Sequence, residues 1–220
     1  MLLQLTERLM YGEVGGYIAV AIAGYVLGSF PTAYLVVRYF TGKNILEYGT
    51  GNVGAMNTHR ATNSKLLTLL VLAGDMLKGA AALFLGKFMA QAFELDPQLG
   101  PAIGGILAVV GHNYSVFLKF KGGKGIATST PFLLYFAPLL APVWVGAFIL
   151  TVAATRLMVL GQILGTVVAA IASHFIYPDV APFTDALATL VFIRHAPRLK
   201  NVFEGTEPKL YYKVRAPDGQ

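Results

Sequence analysis

The sequence predicts an all-α integral membrane protein of about seven transmembrane helices, with the N-terminus outside and the C-terminus in the cytoplasm. Three observations predict it. Hydrophobic residues fill 55% of 220 positions and charged residues only 13%, half of the roughly 25% a soluble domain carries. Mean hydropathy is +0.61. Charge is also sorted between alternate loops, as set out below.

A spanning helix needs about 20 apolar residues. The first such stretch runs from about Gly16 to Phe40, interrupted by Gly28, Ser29 and Pro31. It lacks a basic lead and a small-residue cleavage site, so it reads as a retained helix. A polar, glycine-rich loop follows, Thr41 to Ser64. The second span covers about Leu66 to Phe93 and the third about Gly100 to Leu118, before a basic loop, Lys119 to Gly125. Pro131, Pro138 and Pro142 break the next apolar region. It divides into a short fourth helix from Ile126 and a fifth from Leu139 to Thr155. The sixth span is Val159 to Tyr177, the seventh Phe183 to Phe192, and a basic tail ends the chain. No room is left for a second, soluble unit, so residues 1–220 are expected to form a single transmembrane domain.

Seven spans place Arg38, Lys43, Arg60, Lys65, Lys119, Lys121, Lys124, Arg156 and the tail from Arg194 to Arg215 on one side. The opposite loops hold Glu94, Asp96, Asp179 and Asp185 without lysine or arginine. The positive-inside rule makes the first side cytoplasmic. Six spans would separate Arg156 from the tail and spoil the sorting. The formal charge of +6 is thereby assigned to membrane topology rather than to nucleic acid. The pairs Gly24/Gly28, Gly100/Gly104 and Gly161/Gly165 are small-xxx-small spacings for close helix packing. No internal repeat of the inverted-transporter kind is evident.

Two cytoplasmic loops carry candidate chemistry. Gly49-Thr50-Gly51-Asn52-Val53-Gly54 and the following Asn57 and Arg60 combine glycines with hydroxyl, amide and guanidinium groups. Backbone N–H groups and a bidentate arginine suit phosphate. The literal G-x-G-x-x-G match is a decoy, because a dinucleotide site needs a strand before it and a sheet around it. In the second loop, Gly122-Gly123-Lys124-Gly125 precede a helix start, where main-chain N–H groups and the helix dipole favour an anion. The competing reading is a juxtamembrane basic cluster for anionic lipid heads.

Asp75 and Lys78 lie three residues apart within the second span and are expected to face the bundle and pair. His112 closes the third span near the second loop, as polar lining or packing. His174 and Asp179 form an H-x4-D string, an acyltransferase signature that falls at the wrong end of the sixth span and is read as coincidence. Without cysteine, disulfides, thiolate metal sites and a cysteine acyl-enzyme are excluded. No metal-ligand cluster, carboxylate pair or Ser-His-Asp arrangement is apparent, so neither a metal nor a cofactor is expected. The visible machinery binds anions.

Together these segments resemble the bacterial acyl-phosphate:glycerol-3-phosphate acyltransferases, the PlsY family. The resemblance spans nearly the whole chain: Tyr25 to Thr32, Gly49 to Arg60, Asp75-Met76-Leu77-Lys78-Gly79, Gly111 to Tyr114, and most specifically Phe120-Lys121-Gly122-Gly123-Lys124-Gly125-Ile126-Ala127-Thr128. Arg194-His195 and Gly205-Thr206-Glu207 match a third motif weakly. It implies a multi-pass enzyme of the bacterial cytoplasmic membrane, acting beside membrane lipid on acyl phosphate and glycerol 3-phosphate, with lysophosphatidic acid and phosphate as products. By resemblance, Asn52, Arg60, Lys124 and His195 would be catalytic. Thr50, Gly51, Asn57, His112, Gly122, Gly123 and Gly125 would bind substrate. The chain departs from the family at Thr50 and Met56, where serine and threonine are usual, at Val159 to Gln162 in place of a serine-containing element, and at Arg198 in place of asparagine. Other readings are a transporter or channel for phosphate-bearing solutes and a non-catalytic homolog.

Overall fold

The structure, a computed structural model, describes residues 2–209, with side chains from residue 12 onward. The part of the basic tail from Leu210 to Gln220, including Lys213 and Arg215, lies outside the described residues. Among the described residues the chain is helical throughout, with turns and no strand. The helices are α1 (Leu2–Ser29), α2 (Thr32–Thr41), α3 (Ala55–Thr62), α4 (Lys65–Ala92), α5 (Leu99–Asn113), α6 (Ile126–Phe136), α7 (Leu140–Thr155), α8 (Met158–Ile176) and α9 (Ala181–Phe203).

Among the described residues, four segments are long and apolar enough to cross a membrane: Gly12–Thr41, Lys65–Ala92, Leu99–Leu118 and Met158–Ile176. α6 and α7 are shorter apolar helices. The bundle's exterior is hydrocarbon-like, with Phe175 82%, Leu150 73%, Leu77 68% and Phe88 65% exposed. Its interior combines apolar side chains such as Val20, Leu83, Val109 and Phe132 with small and buried polar ones. Lipid gives apolar side chains no reason to turn inward, so close backbone packing must hold the helices together. A Cβ at Gly24 would stand 2.6 Å from the Gly104 carbonyl oxygen, and one at Gly28 would overlap Ala108. Gly86 and Gly100 join α4 to α5 in the same way. Gly161 and Gly165 admit Phe148 and Trp144 of α7, whose rings stack at 5.1 Å. The small-xxx-small pairs thus act as packing seams.

Several sequence boundaries are corrected. The first apolar stretch is two helices broken at Phe30 and Pro31, because Pro31 lacks an N–H and its ring disfavours helix in the residue before it. The third ends at Asn113, and Val116–Leu118 form a separate 3-10 turn. The first loop contains α3, so Asn57 and Arg60 are helical. α3 stops at Asn63, which adopts left-handed backbone, and Ser64 caps α4 by accepting from the Leu67 N–H at 3.2 Å. The seventh helix continues eleven residues past Phe192, to Phe203. Arg194, His195 and Arg198 are therefore held on a rigid helix rather than in a tail. The proline-based division of the fourth and fifth segments matches separate α6 and α7.

Asp75 and Lys78 meet as expected, Nζ to Oδ1 at 2.9 Å, with side chains 2% and 8% exposed. Lys78 also donates to the Phe30 carbonyl at 2.9 Å, an oxygen released where α1 breaks. His174 faces Asp185 at 3.0 Å rather than Asp179, which leaves the H-x4-D string without a shared geometry.

Candidate functional site

One cleft, enclosing about 840 Å³ up to its open mouth, gathers residues from six parts of the sequence. Thr50, Asn52, Asn57 and Arg60 come from the first loop and α3, Asp75 from α4, and His112 from α5. Lys124, Gly125, Ile126 and Ala127 come from the second loop and the start of α6. Gln162 of α8, Arg198 of α9 and Glu207 complete the wall.

The first loop is built around Asn57, which is 2% exposed. Its Nδ2 lies within hydrogen-bonding distance of the carbonyls of Ile45 (3.3 Å), Tyr48 (3.0 Å) and Asn52 (2.8 Å). Its Oδ1 accepts from the Thr50 N–H at 3.0 Å. Asn57 borders the cleft, yet its amide is spent on the loop, so it shapes the site rather than offering donors to a ligand. Gly51 supplies a positive φ of 66° and turns the chain. Thr50 and Asn52 thereby line the same cleft as Arg60.

The second loop rests on α5. Gly123 donates to the His112 carbonyl at 2.9 Å. A Cβ at Gly122 would overlap the carbonyls of His112 and Asn113, and one at Gly123 would overlap the His112 imidazole. These two glycines back the loop and do not line the cleft. From the other side, Arg194 donates Nε to the Gly123 carbonyl at 2.9 Å and Nη2 to that of Gly122 at 3.0 Å. Its guanidinium also lies over the Tyr114 ring. The loop's carbonyls thus point at Arg194, and Gly125, at a φ of 87°, turns the chain into α6. Lys124 projects between, beside the first turn of α6. Gly123→Ala is expected to lift the loop off His112. Overpacking of this kind costs about 1–3 kcal/mol, so melting temperature and kcat/KM should fall together; wild-type values for both would refute this contact.

Among the described residues, neither Arg60 nor Lys124 has a hydrogen-bonded or ion-paired partner. Burial, and then the charge of Arg198, lower the pKa of both groups; Lys124 falls to about 8. Glu207 partly offsets this, while Arg60 and Arg194 add to it at Lys124. Such cations are poised for an anion, which would relieve their mutual repulsion. Asp75 does not serve as their counter-ion, because its carboxylate is engaged by Lys78 and by His112 at 3.5 Å.

His195 is fully buried and outside the cleft wall. Its Nδ1 is 2.7 Å from the Val191 carbonyl, which only accepts, so Nδ1 carries the proton. Its Nε2 lies 2.9 Å from Gln162 Oε1; with the proton on Nδ1, Nε2 accepts, so the Gln162 amide turns its NH2 group to donate there. His195 therefore reaches the cleft only through Gln162. Sequence reasoning missed Gln162 as a wall residue and Arg194 as the loop clamp. A glycine loop whose carbonyls need donors is the signal for a clamp, but the donor lies some 70 residues away in sequence. Among the described residues no three His, Asp or Glu side chains gather as a metal-binding group.

The profile of the family described as glycerol-3-phosphate acyltransferase matches residues 18–205, and the chain belongs to that family. A Moorella thermoacetica relative named glycerol-3-phosphate acyltransferase 2 is 40% identical over 198 residues, covering 86% of this chain and 95% of its own. The glycerol-3-phosphate acyltransferase of Geobacillus kaustophilus is 35% identical over 194 residues, covering 87% and 94%. In three dimensions the chain is similar to a crystal structure of PlsY, an integral membrane glycerol 3-phosphate acyltransferase, in its glycerol 3-phosphate form. The TM-score is 0.75 at 28% identity, over 88% of this chain and 94% of that one. The lysophosphatidic acid form of PlsY gives 0.74 at 26% identity, with the same coverage. The chain is thus a multi-pass membrane protein of the acyltransferase class.

Proposed function

We propose that this protein transfers the acyl group of an acyl phosphate to the sn-1 hydroxyl of glycerol 3-phosphate, giving lysophosphatidic acid and inorganic phosphate. The observation that carries this reading is the pair of cations, Arg60 and Lys124, without a partner among the described residues, in one cleft of a family member. Both substrates bring a phosphate. An apolar cavity of about 720 Å³ adjoins the cleft, with Ile126 common to both. Leu133, Leu140, Trp144 and Leu187 line it, and it suits an acyl chain.

In this reading Arg60 and Lys124 hold the phosphates while Asn52 and Thr50 orient the glycerol hydroxyl. The hydroxyl oxygen attacks the acyl carbonyl carbon. A new C–O ester bond forms, the carbonyl C–O bond to phosphate breaks, and a phosphate oxygen takes the hydroxyl proton. No side chain need act as base, since acyl phosphate is already activated; positioning and charge stabilisation supply the rate. Asn57, Gly51, Gly122, Gly123, Gly125 and His112 shape the two loops, and His195 positions Gln162.

Residues 1–220 are read as one domain in the bacterial cytoplasmic membrane. The first apolar stretch with α4 to α9 makes seven passes, the N-terminus outside and the cleft at the cytoplasmic end. The sorting of lysine and arginine to the loops around the cleft supports that orientation. The test supplies palmitoyl phosphate and glycerol 3-phosphate to the purified protein in lipidic mesophase. Phosphate and lysophosphatidic acid should appear in equal amounts; phosphate release without the lipid product would refute acyl transfer.

A further inference from the structure

We propose that Arg198 is a third phosphate-binding cation of the cleft, anchored by Glu207 along one edge of its guanidinium and presenting the other edge to a substrate phosphate. This deepens the reading above and rests on it for the identity of the substrates. The sequence singles out position 198 because the resemblance leads one to expect an uncharged asparagine there.

Arg198 and Glu207 both line the cleft. The side-on edge is occupied: Nε donates to Glu207 Oε2 at 2.9 Å and Nη2 to Oε1 at 2.8 Å. A guanidinium has five donors in a planar fork. Nη1 finds no partner among the described residues, so the end-on edge remains available. Glu207 is 3% exposed and Arg198 22%, which places the carboxylate behind the guanidinium and leaves the latter open.

A purely structural tie is the competing explanation. Yet the segment after α9 is already folded back without it. The N–H groups of Thr206 and Glu207 both donate to the Asn201 carbonyl, at 2.8 and 3.0 Å. Moreover, Arg198 and Lys124 line the same cleft, and the charge of Arg198 helps to lower the Lys124 pKa. A carboxylate that fixes one edge of an arginine beside a lysine preorganises a bidentate phosphate grip. The cleft's other carboxylate, Asp75, is already engaged by Lys78 and His112.

Removing Arg198 alone would strand a buried carboxylate, so the test uses Arg198→Asn/Glu207→Gln, which keeps the net charge of the cleft. Inorganic phosphate and glycerol 3-phosphate are titrated calorimetrically into the full-length protein in detergent. Loss of a charge-assisted bond predicts about 10- to 150-fold weaker binding in the double variant. Arg198→Lys preserves charge and the tie to Glu207 but not the fork. It should weaken phosphate several-fold, where a structural tie would leave affinity unchanged. Wild-type affinity for both ligands in folded double and lysine variants would overturn the proposal. The KM values then separate the sources: a rise for glycerol 3-phosphate or for palmitoyl phosphate tells whose phosphate Arg198 grips. Binding needs no turnover, so a wild type that binds glycerol 3-phosphate without acyl transfer would refute the proposed reaction and leave this inference standing.

Discussion

Lys124→Ala is expected to lower kcat/KM by about 10²–10³-fold, the range typical of deleting one preorganised charge-stabilising donor. Lys124 has no internal partner among the described residues, and the glycine loop that carries it is fixed by His112 and Arg194. The fold thus holds a cation in a place where it stabilises nothing else. Melting temperature should hold or rise slightly in the variant, because a partly buried, repelled charge is removed. An equal fall in activity and stability would show Lys124 to be structural. The same residue sets a pH limb. Its pKa is lowered to about 8, first by burial and then by Arg198, and phosphate prefers the ammonium form. In free enzyme, kcat/KM should therefore fall about tenfold per pH unit above about 8. Bound phosphate raises the lysine pKa, so the limb in kcat should lie at higher pH. Stability moves oppositely. The folded state releases the proton at about 8 and the unfolded chain near 10.5. Folded protein binds fewer protons between those values, and stability rises with pH across that window. A kcat/KM flat from pH 7 to 10 would remove Lys124 from phosphate binding.

The all-helical fold was legible because lipid imposes length and composition on each segment. What hydropathy marks, however, is the lipid boundary and not the end of hydrogen bonding. α9 therefore reads as stopping near Phe192 while its helix runs on to Phe203, carrying His195 and Arg198 to the site. For the same reason α3 was invisible: its mixture of Asn57, Thr58, His59 and Arg60 has polar character at every turn. The anion-binding character of the cleft was legible in Arg60 and Lys124, since a cation beside glycines has few structural uses. Roles within the loops were not. Asn57 looks like a ligand in sequence, but its amide faces three backbone carbonyls. Gly122 and Gly123 look like a phosphate cradle, but what demands them is the close approach of α5. In each case the deciding contact joins distant segments, which local residue types do not specify.

Asp75→Ala is expected to destabilise the folded bundle by about 3–5 kcal/mol, the usual cost of breaking a buried ion pair from one side. Lys78 would keep only the Phe30 carbonyl as partner, and His112 would lose the carboxylate facing its Nδ1. The damage is expected to spread along a defined route. His112 supports Gly123, Gly123 precedes Lys124, and Asp75 itself borders the cleft. A second change separates the two consequences. Asp75→Ala/Lys78→Met replaces the pair by apolar groups, which in other buried pairs is neutral or stabilising. The double variant should recover most of the lost melting temperature in detergent. It should not recover activity, because His112 still lacks the group that orients it under the glycine loop. Recovery of both would confine Asp75 to holding Lys78. A single variant that melts like wild type would mean that the pair contributes nothing to the bundle, and that water reaches this part of the interior.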